Sequence, residues 1–125
     1  MTAKLATIAL GAACVLAFAD HAQARSAYDG NWSVTVSGRS GSCQGGSYNY
    51  GLQVVNGIVY YSGGDARISG RVSPSGAVYV RVTSGDRGAV GSGRLSRNGG
   101  GGGTFRGYSS SGPCAGTWSG QRTGG

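Results

Sequence analysis

Apolar residues recur at alternate positions along this chain, in short runs separated by turn-forming residues, which is the pattern of half-buried antiparallel strands. Trp32, Val34 and Val36 alternate with Ser33, Thr35 and Ser37 and predict a first strand with one apolar face. Tyr48, Tyr50, Leu52 and Val54 predict a second. Asn56-Gly57 then stands between Val55 and Ile58. That pair favours a two-residue type I′ hairpin, which needs positive φ at both positions. In this register Val54 opposes Val59 and Leu52 opposes Tyr61 on the core face. Val55, Ile58 and Tyr60 fall together on the outer face, an apolar cluster of the kind that marks a partner surface.

A fourth strand carries Ile68, Gly70 and Val72 inward and Arg67, Ser69 and Arg71 outward. Ser73-Pro74-Ser75-Gly76 suits a type I turn followed by a left-handed glycine, a three-residue hairpin loop. It pairs Val72 with Val78 and Arg71 with Tyr79, so Val78, Val80 and Val82 share a face with Ile68. A four-residue loop would set Arg71 opposite Val78 and mix the faces. Beyond this point the alternation weakens. Residues 89–97 carry Leu95 inward, the glycine run 99–103 reads as a flexible hairpin loop, and residues 104–108 and 115–122 place Phe105 and Trp118 inside.

Eight strands at this spacing predict an all-β antiparallel meander, closed or nearly closed as a small barrel, with an open sandwich as the alternative. Cys43 follows the first strand and Cys114 precedes the last. If those strands pair antiparallel, a disulfide pins them, and closing about 70 residues contributes ~4 kcal/mol in the chain-entropy view. Gly30-Asn31-Trp32 and Gly116-Thr117-Trp118 then bring both tryptophans near the seam. Closure also removes the exposed edges that an open sheet must defend.

The N-terminus has a different character. Lys4 precedes an apolar stretch from Leu5 to Ala19, too short to span a bilayer comfortably, and Ala22-Gln23-Ala24 forms an A-x-A cleavage site. Residues 1–24 therefore read as a signal peptide and residues 25–125 as one β-domain, periplasmic or secreted, with no membrane span after cleavage. The alternative is a lipoprotein anchored through Cys14, but Gly11 stands where such a motif wants leucine. Export removes Cys14 and His21, the one histidine, and leaves Cys43 and Cys114 as a pair in an oxidising compartment.

What the exported domain lacks narrows its chemistry. It has no histidine, lysine or glutamate, so none of its 17 serines has the usual activating base. Asp65 and Asp86 have the residue type of a glycosidase pair, but each follows a glycine in a hairpin loop and reads as a turn residue. Two cysteines without histidine do not complete a zinc site, and three scattered aspartates do not make a calcium site. Gly91-Ser92-Gly93 lacks the strand-to-helix context of a dinucleotide fingerprint. The expectation is a protein that is not an enzyme and takes no cofactor or metal.

Charge supplies the positive content. Ten arginines against Asp29, Asp65 and Asp86 leave the domain at +7. Arg67 and Arg71 share the outer face of their strand, with Tyr79 and Arg81 opposite. Guanidinium forks beside a tyrosine suit carboxylates, sulfates and phosphates, so acidic polysaccharide or lipopolysaccharide is the expected partner, without any specific nucleic-acid motif. The bland alternative is codon bias and solubility: arginine replaces lysine throughout, beside abundant glycine.

Tyr28-Asp29-Gly30-Asn31-Trp32-Ser33-Val34, Gly70-Arg71-Val72-Ser73, Gly91-Ser92-Gly93-Arg94-Leu95 and Cys114-Ala115-Gly116-Thr117-Trp118 together resemble small secreted proteins of rhizobial and related alphaproteobacteria, a group of unknown function. This resemblance implies export and a shared fold, and no activity. A looser similarity is to bacterial metalloprotease-inhibitor barrels, which also open with a G-x-W strand followed by a cysteine. It implies a periplasmic protease inhibitor working through the barrel rim or through residues 25–29. Here the cysteine's partner stands at the far end of the chain, a departure from that pattern. Avidin-like barrels share the G-x-W start, but their polar ligand set has no residue-by-residue match. A third reading is a structural or assembly protein that uses Val55, Ile58 and Tyr60.

Cleavage after Ala24 predicts that the exported protein begins at Arg25. N-terminal sequencing checks this, and a chain beginning at Met1 or at a lipidated Cys14 would contradict it.

Overall fold

The computed structural model describes residues 26–124, so the leader and its cleavage site lie outside the described residues. Eight strands follow in order: β1 (Gly30–Gly41), β2 (Ser47–Val55), β3 (Ile58–Tyr60), β4 (Arg67–Val72), β5 (Ala77–Ser84), β6 (Arg87–Leu95), β7 (Gly100–Ser109) and β8 (Gly112–Gly124). Each pairs antiparallel with the next, and β1 pairs with β8, so the sheet closes into a barrel. No helix among the described residues is long and apolar enough to cross a membrane.

The hairpin registers follow from the turn chemistry. Asn56 and Gly57 have φ of 53° and 78°, as a type I′ turn requires, and Val54 pairs with Val59. Gly76 has φ 93°, Gly76 N donates to Ser73 O at 2.9 Å, and Val72 pairs with Val78 and Arg71 with Tyr79. Tyr61 departs from its expected place opposite Leu52. The β2–β3 ladder ends at Tyr60, and the Tyr61 ring instead meets Tyr50 edge-on at 5.8 Å.

The glycine run also differs from a flexible loop. Gly100 opens β7, and residues 100–103 pair with both neighbouring strands, for example Gly103 with Gly93 and with Trp118. The physical reason is steric. A Cβ on Gly93 would stand 2.8 Å from the Trp118 ring, and one on Gly101 would stand 2.6 Å from Leu95. The space that alternating side chains would occupy is taken by large residues reaching across from neighbouring strands. Alternation is therefore invisible in the sequence where the structure needs it most.

One end of the barrel is sealed. Tyr28, Trp32, Val54, Val59, Val72, Val78 and Leu95 are all at most 8 % exposed and pack together there. Residues 26–29 cross this end. Trp32 Nε1 donates to Tyr28 O at 2.9 Å, and the Asp29 carboxylate accepts from the backbone N–H of Asn56 and Gly57 at 2.9 and 3.3 Å. Arg122 of β8 completes the seal. Its guanidinium lies 5.4 Å from the centre of the Trp32 ring and donates to the carbonyls of Ala27, Asp29 and Arg97 at 3.0, 3.2 and 2.9 Å. A single side chain thus ties the N-terminal segment, the β6–β7 turn and β8 together.

The seam between β1 and β8 has register shifts near both ends, and such bulges turn a strand sharply enough to help a small barrel close. At the far end Gly41 pairs with Cys114, and Cys43 is joined to Cys114 by a disulfide with Cα atoms 5.5 Å apart, a spacing ordinary for disulfides.

Replacing Arg122 with methionine leaves three carbonyls without a shared donor. The expected loss is about 2–4 kcal/mol in urea unfolding of the oxidised domain. Arg122→Lys is expected to recover little, because a point ammonium lacks the fork that reaches three segments. A loss below about 1 kcal/mol for Arg122→Met would contradict this role.

Candidate functional site

Above the sealed end the barrel is hollow. A cavity of about 460 Å³ opens at the opposite end, and its wall has two chemistries. Strands β1, β2, β4 and β5 supply Val34, Val36, Leu52, Ile68, Val80 and Val82. Strands β6 to β8 supply Phe105 and Trp118 among glycines, including Gly91 and Gly107. An eight-stranded barrel is just wide enough either to be filled by its own side chains or to hold one small ligand. Glycines at inward positions of β6, β7 and β8 decide for the second case. Gly93, Gly101 and Gly116 accommodate the side chains of Trp118, Leu95 and Phe105, and the remaining volume stays unfilled. Trp118 is held against that wall by its Nε1, which donates to Ser92 O at 3.1 Å.

The open rim is polar. Inward register places Tyr48 and Tyr50 on β2 there, with Ser84 and Arg87 across the opening and the Cys43–Cys114 disulfide beside them. Tyr50 is half-buried, and that burial raises its phenol above the ordinary value of 10.0, with the neighbouring Tyr61 and Tyr48 adding to the effect. Arg87 is the one charged residue among those lining the cavity. Asp65 and Asp86 lie at the same end, in the β3–β4 connection and the β5–β6 turn, outside the lining. The expected reading of both as turn residues matches where they sit.

The arginines expected on one outer face do share it. Arg71 pairs with Tyr79, Ser69 with Arg81 and Arg67 with Thr83, and Arg67, Arg71, Tyr79 and Arg81 are all exposed. Val55, Ile58 and Tyr60 are 39, 37 and 50 % exposed, and Ile58 pairs with Arg71, so the apolar cluster adjoins the arginine stripe. Of the candidate inhibitory segment 25–29, the described residues 26–29 are built into the sealed end, with Tyr28 only 3 % exposed.

Three features escaped the sequence. The cavity follows from inward glycines, which carry no hydrophobic signal. The rim cluster of Tyr48, Tyr50 and Tyr61 follows from where β3 stops. Arg122 could have been sought as the inward position of the last strand opposite Trp32, but an inward arginine breaks the apolar pattern. The chain matches no protein-family model, no curated protein and no solved structure.

The raised pKa of Tyr50 has a definite consequence for stability. Folded Tyr50 keeps its proton to higher pH than the unfolded chain, whose phenol ionises near 10.0. Its contribution is whole below that value and is lost as pH rises through the folded value. Between about pH 9 and 11, the urea midpoint of the wild type should therefore fall more steeply than that of Tyr50→Phe. Equal slopes would contradict the burial of this phenol.

Proposed function

We propose that this protein is an exported, non-catalytic binding barrel whose interior takes one small, predominantly apolar molecule. The observation that carries this reading is the 460 Å³ cavity, walled by valines, Leu52, Ile68, Phe105 and Trp118, sealed at one end and open at a tyrosine rim. Its volume falls within the roughly 300–1,000 Å³ typical of small-molecule sites. The ligand enters by the open rim and lies with its apolar body toward Trp32. A polar group, where the ligand has one, stays near Tyr48, Tyr50 and Arg87. The disulfide fits an oxidising compartment, which supports export and a periplasmic or secreted site of action. Catalysis has no support from the residues at the rim, which offer phenols, serines and one guanidinium but no paired acid and base.

A second reading concerns the outer face. The register that sets Arg71 against Tyr79 and places Arg81 on the same face supports binding of acidic polysaccharide or lipopolysaccharide through Arg67, Arg71, Tyr79 and Arg81. Such binding would be independent of the cavity, because these side chains point away from it.

Gly91 offers a clean test of the interior. A Cβ built there meets nothing nearer than Thr104 O at 3.7 Å, and its φ is not in the left-handed region. Gly91→Leu should therefore place a side chain in the cavity with its Cβ in ordinary contact. Uptake of an apolar fluorescent dye, competed by a medium-chain alcohol, is expected to weaken roughly tenfold or more in this variant, with an unchanged unfolding midpoint. Equal dye affinity in wild type and variant would overturn the interior site.

A further inference from the structure

We propose that the outer face beside the open rim carries a groove for an acidic polysaccharide, built from Arg81, Arg106 and Tyr108. This rests on the outer-face reading above and moves its centre away from Arg67 and Arg71. Cross-strand pairing sets Arg81, Val90, Arg106 and Ala115 in one row across β5 to β8, and Thr83, Gly88, Tyr108 and Pro113 in the next row. Those residues line one depression, bounded by Ser40 and Gly41 of β1.

Gly88 creates it. Although it points outward, Gly88 is buried, because the Tyr108 ring lies across it; a Cβ there would stand 2.7 Å from the Tyr108 hydroxyl oxygen. The tyrosine is itself 62 % exposed, so its other face is presented to solvent at the side of the groove. One strand, β6, separates Arg81 from Arg106, and the two strand spacings give a lateral distance of about 10 Å. That is the scale on which acidic groups repeat along an alternating uronate or sulfated polysaccharide. No carboxylate is among the lining residues, so neither guanidinium has a competing partner inside the groove.

The chemistry fits a sugar acid better than a point anion. A pyranose ring presents an apolar C–H face that rests on a tyrosine ring, while its carboxylate or sulfate accepts the paired N–H groups of a guanidinium. The Arg67–Arg71 stripe lacks a counterpart to this platform. Its tyrosine, Tyr79, pairs with Arg71 and Ser92 rather than lying across a glycine, and Ile58 stands on the other side of Arg71.

The test compares two variants that lose equal charge: Arg81→Ser/Arg106→Ser and Arg67→Ser/Arg71→Ser. The oxidised domain is titrated with heparin and with polygalacturonate, beside a charge-matched control protein and with duplex DNA as a second ligand. The groove predicts that the Arg81/Arg106 variant weakens by roughly tenfold or more at about 0.15 M salt, and the Arg67/Arg71 variant by no more than about threefold. It also predicts that Tyr108→Ala weakens binding with no change in charge, while Tyr108→Phe retains it. Equal losses in the two double variants would overturn the groove in favour of net charge. Loss confined to Arg67/Arg71 would overturn it and leave the stripe. DNA binding of the same strength and variant dependence would overturn the polysaccharide assignment. Binding no tighter than the control protein would overturn both the groove and the outer-face reading on which it rests.

Discussion

Closure of β1 onto β8 is the constraint from which the other features of this molecule follow. A domain of about a hundred residues that is rich in glycine and serine buries little apolar surface, and glycine loses more backbone freedom on folding than any other residue. An open sheet of this composition would have two unsatisfied edges and a thin core. Closing the sheet pairs every strand on both sides and lets seven side chains form a compact plug at one end. The seam is fixed at both ends by different chemistry: Arg122 across Trp32 at the sealed end, and the Cys43–Cys114 disulfide at the open one.

The sealed end shows how few polar groups such a closure leaves unpaired. The positive-φ glycines of three hairpins, Gly57, Gly76 and Gly99, each present a carbonyl to the amide of a nearby strand residue: Val72, Leu95 and Arg122, at 2.7, 2.8 and 2.7 Å. At Gly57 and Gly76 a side chain would collide with the neighbouring carbonyl. No buried side-chain nitrogen or oxygen among the described residues lacks a partner. Polar satisfaction at one end and glycine spacing along β6 to β8 together produce a barrel that is packed at its base and hollow above it. The hollow makes a binding function the natural reading.

Much of this architecture was legible from the sequence where side chains alternate. The Asn56-Gly57 and Ser73-to-Gly76 turns set two registers residue by residue, and the positions of Cys43 and Cys114 pointed to the pair of strands that closes the barrel. Legibility failed where the signal is a missing side chain. The glycine run 99–103 read as a loop because strands are recognised by what their side chains do, and here the packing groups come from Leu95 and Trp118 instead. The cavity was illegible for the same reason. The outer arginines were assigned correctly to a face, but Arg106 and Tyr108 went unnoticed. Their nearness to Arg81 depends on β6 lying between β5 and β7, a relation between strands that lies beyond any single hairpin.

The account stands or falls on the hollow interior, and amide chemical shifts of the oxidised domain titrated with 1-decanol test it most directly. The predicted result is saturable shifts at the inward positions Val36, Val82, Gly91 and Phe105, fading toward Val54 and Val72 at the sealed end. Absent shifts, or shifts spread over the outer face around Val55, Ile58 and Tyr60, would contradict a ligand cavity.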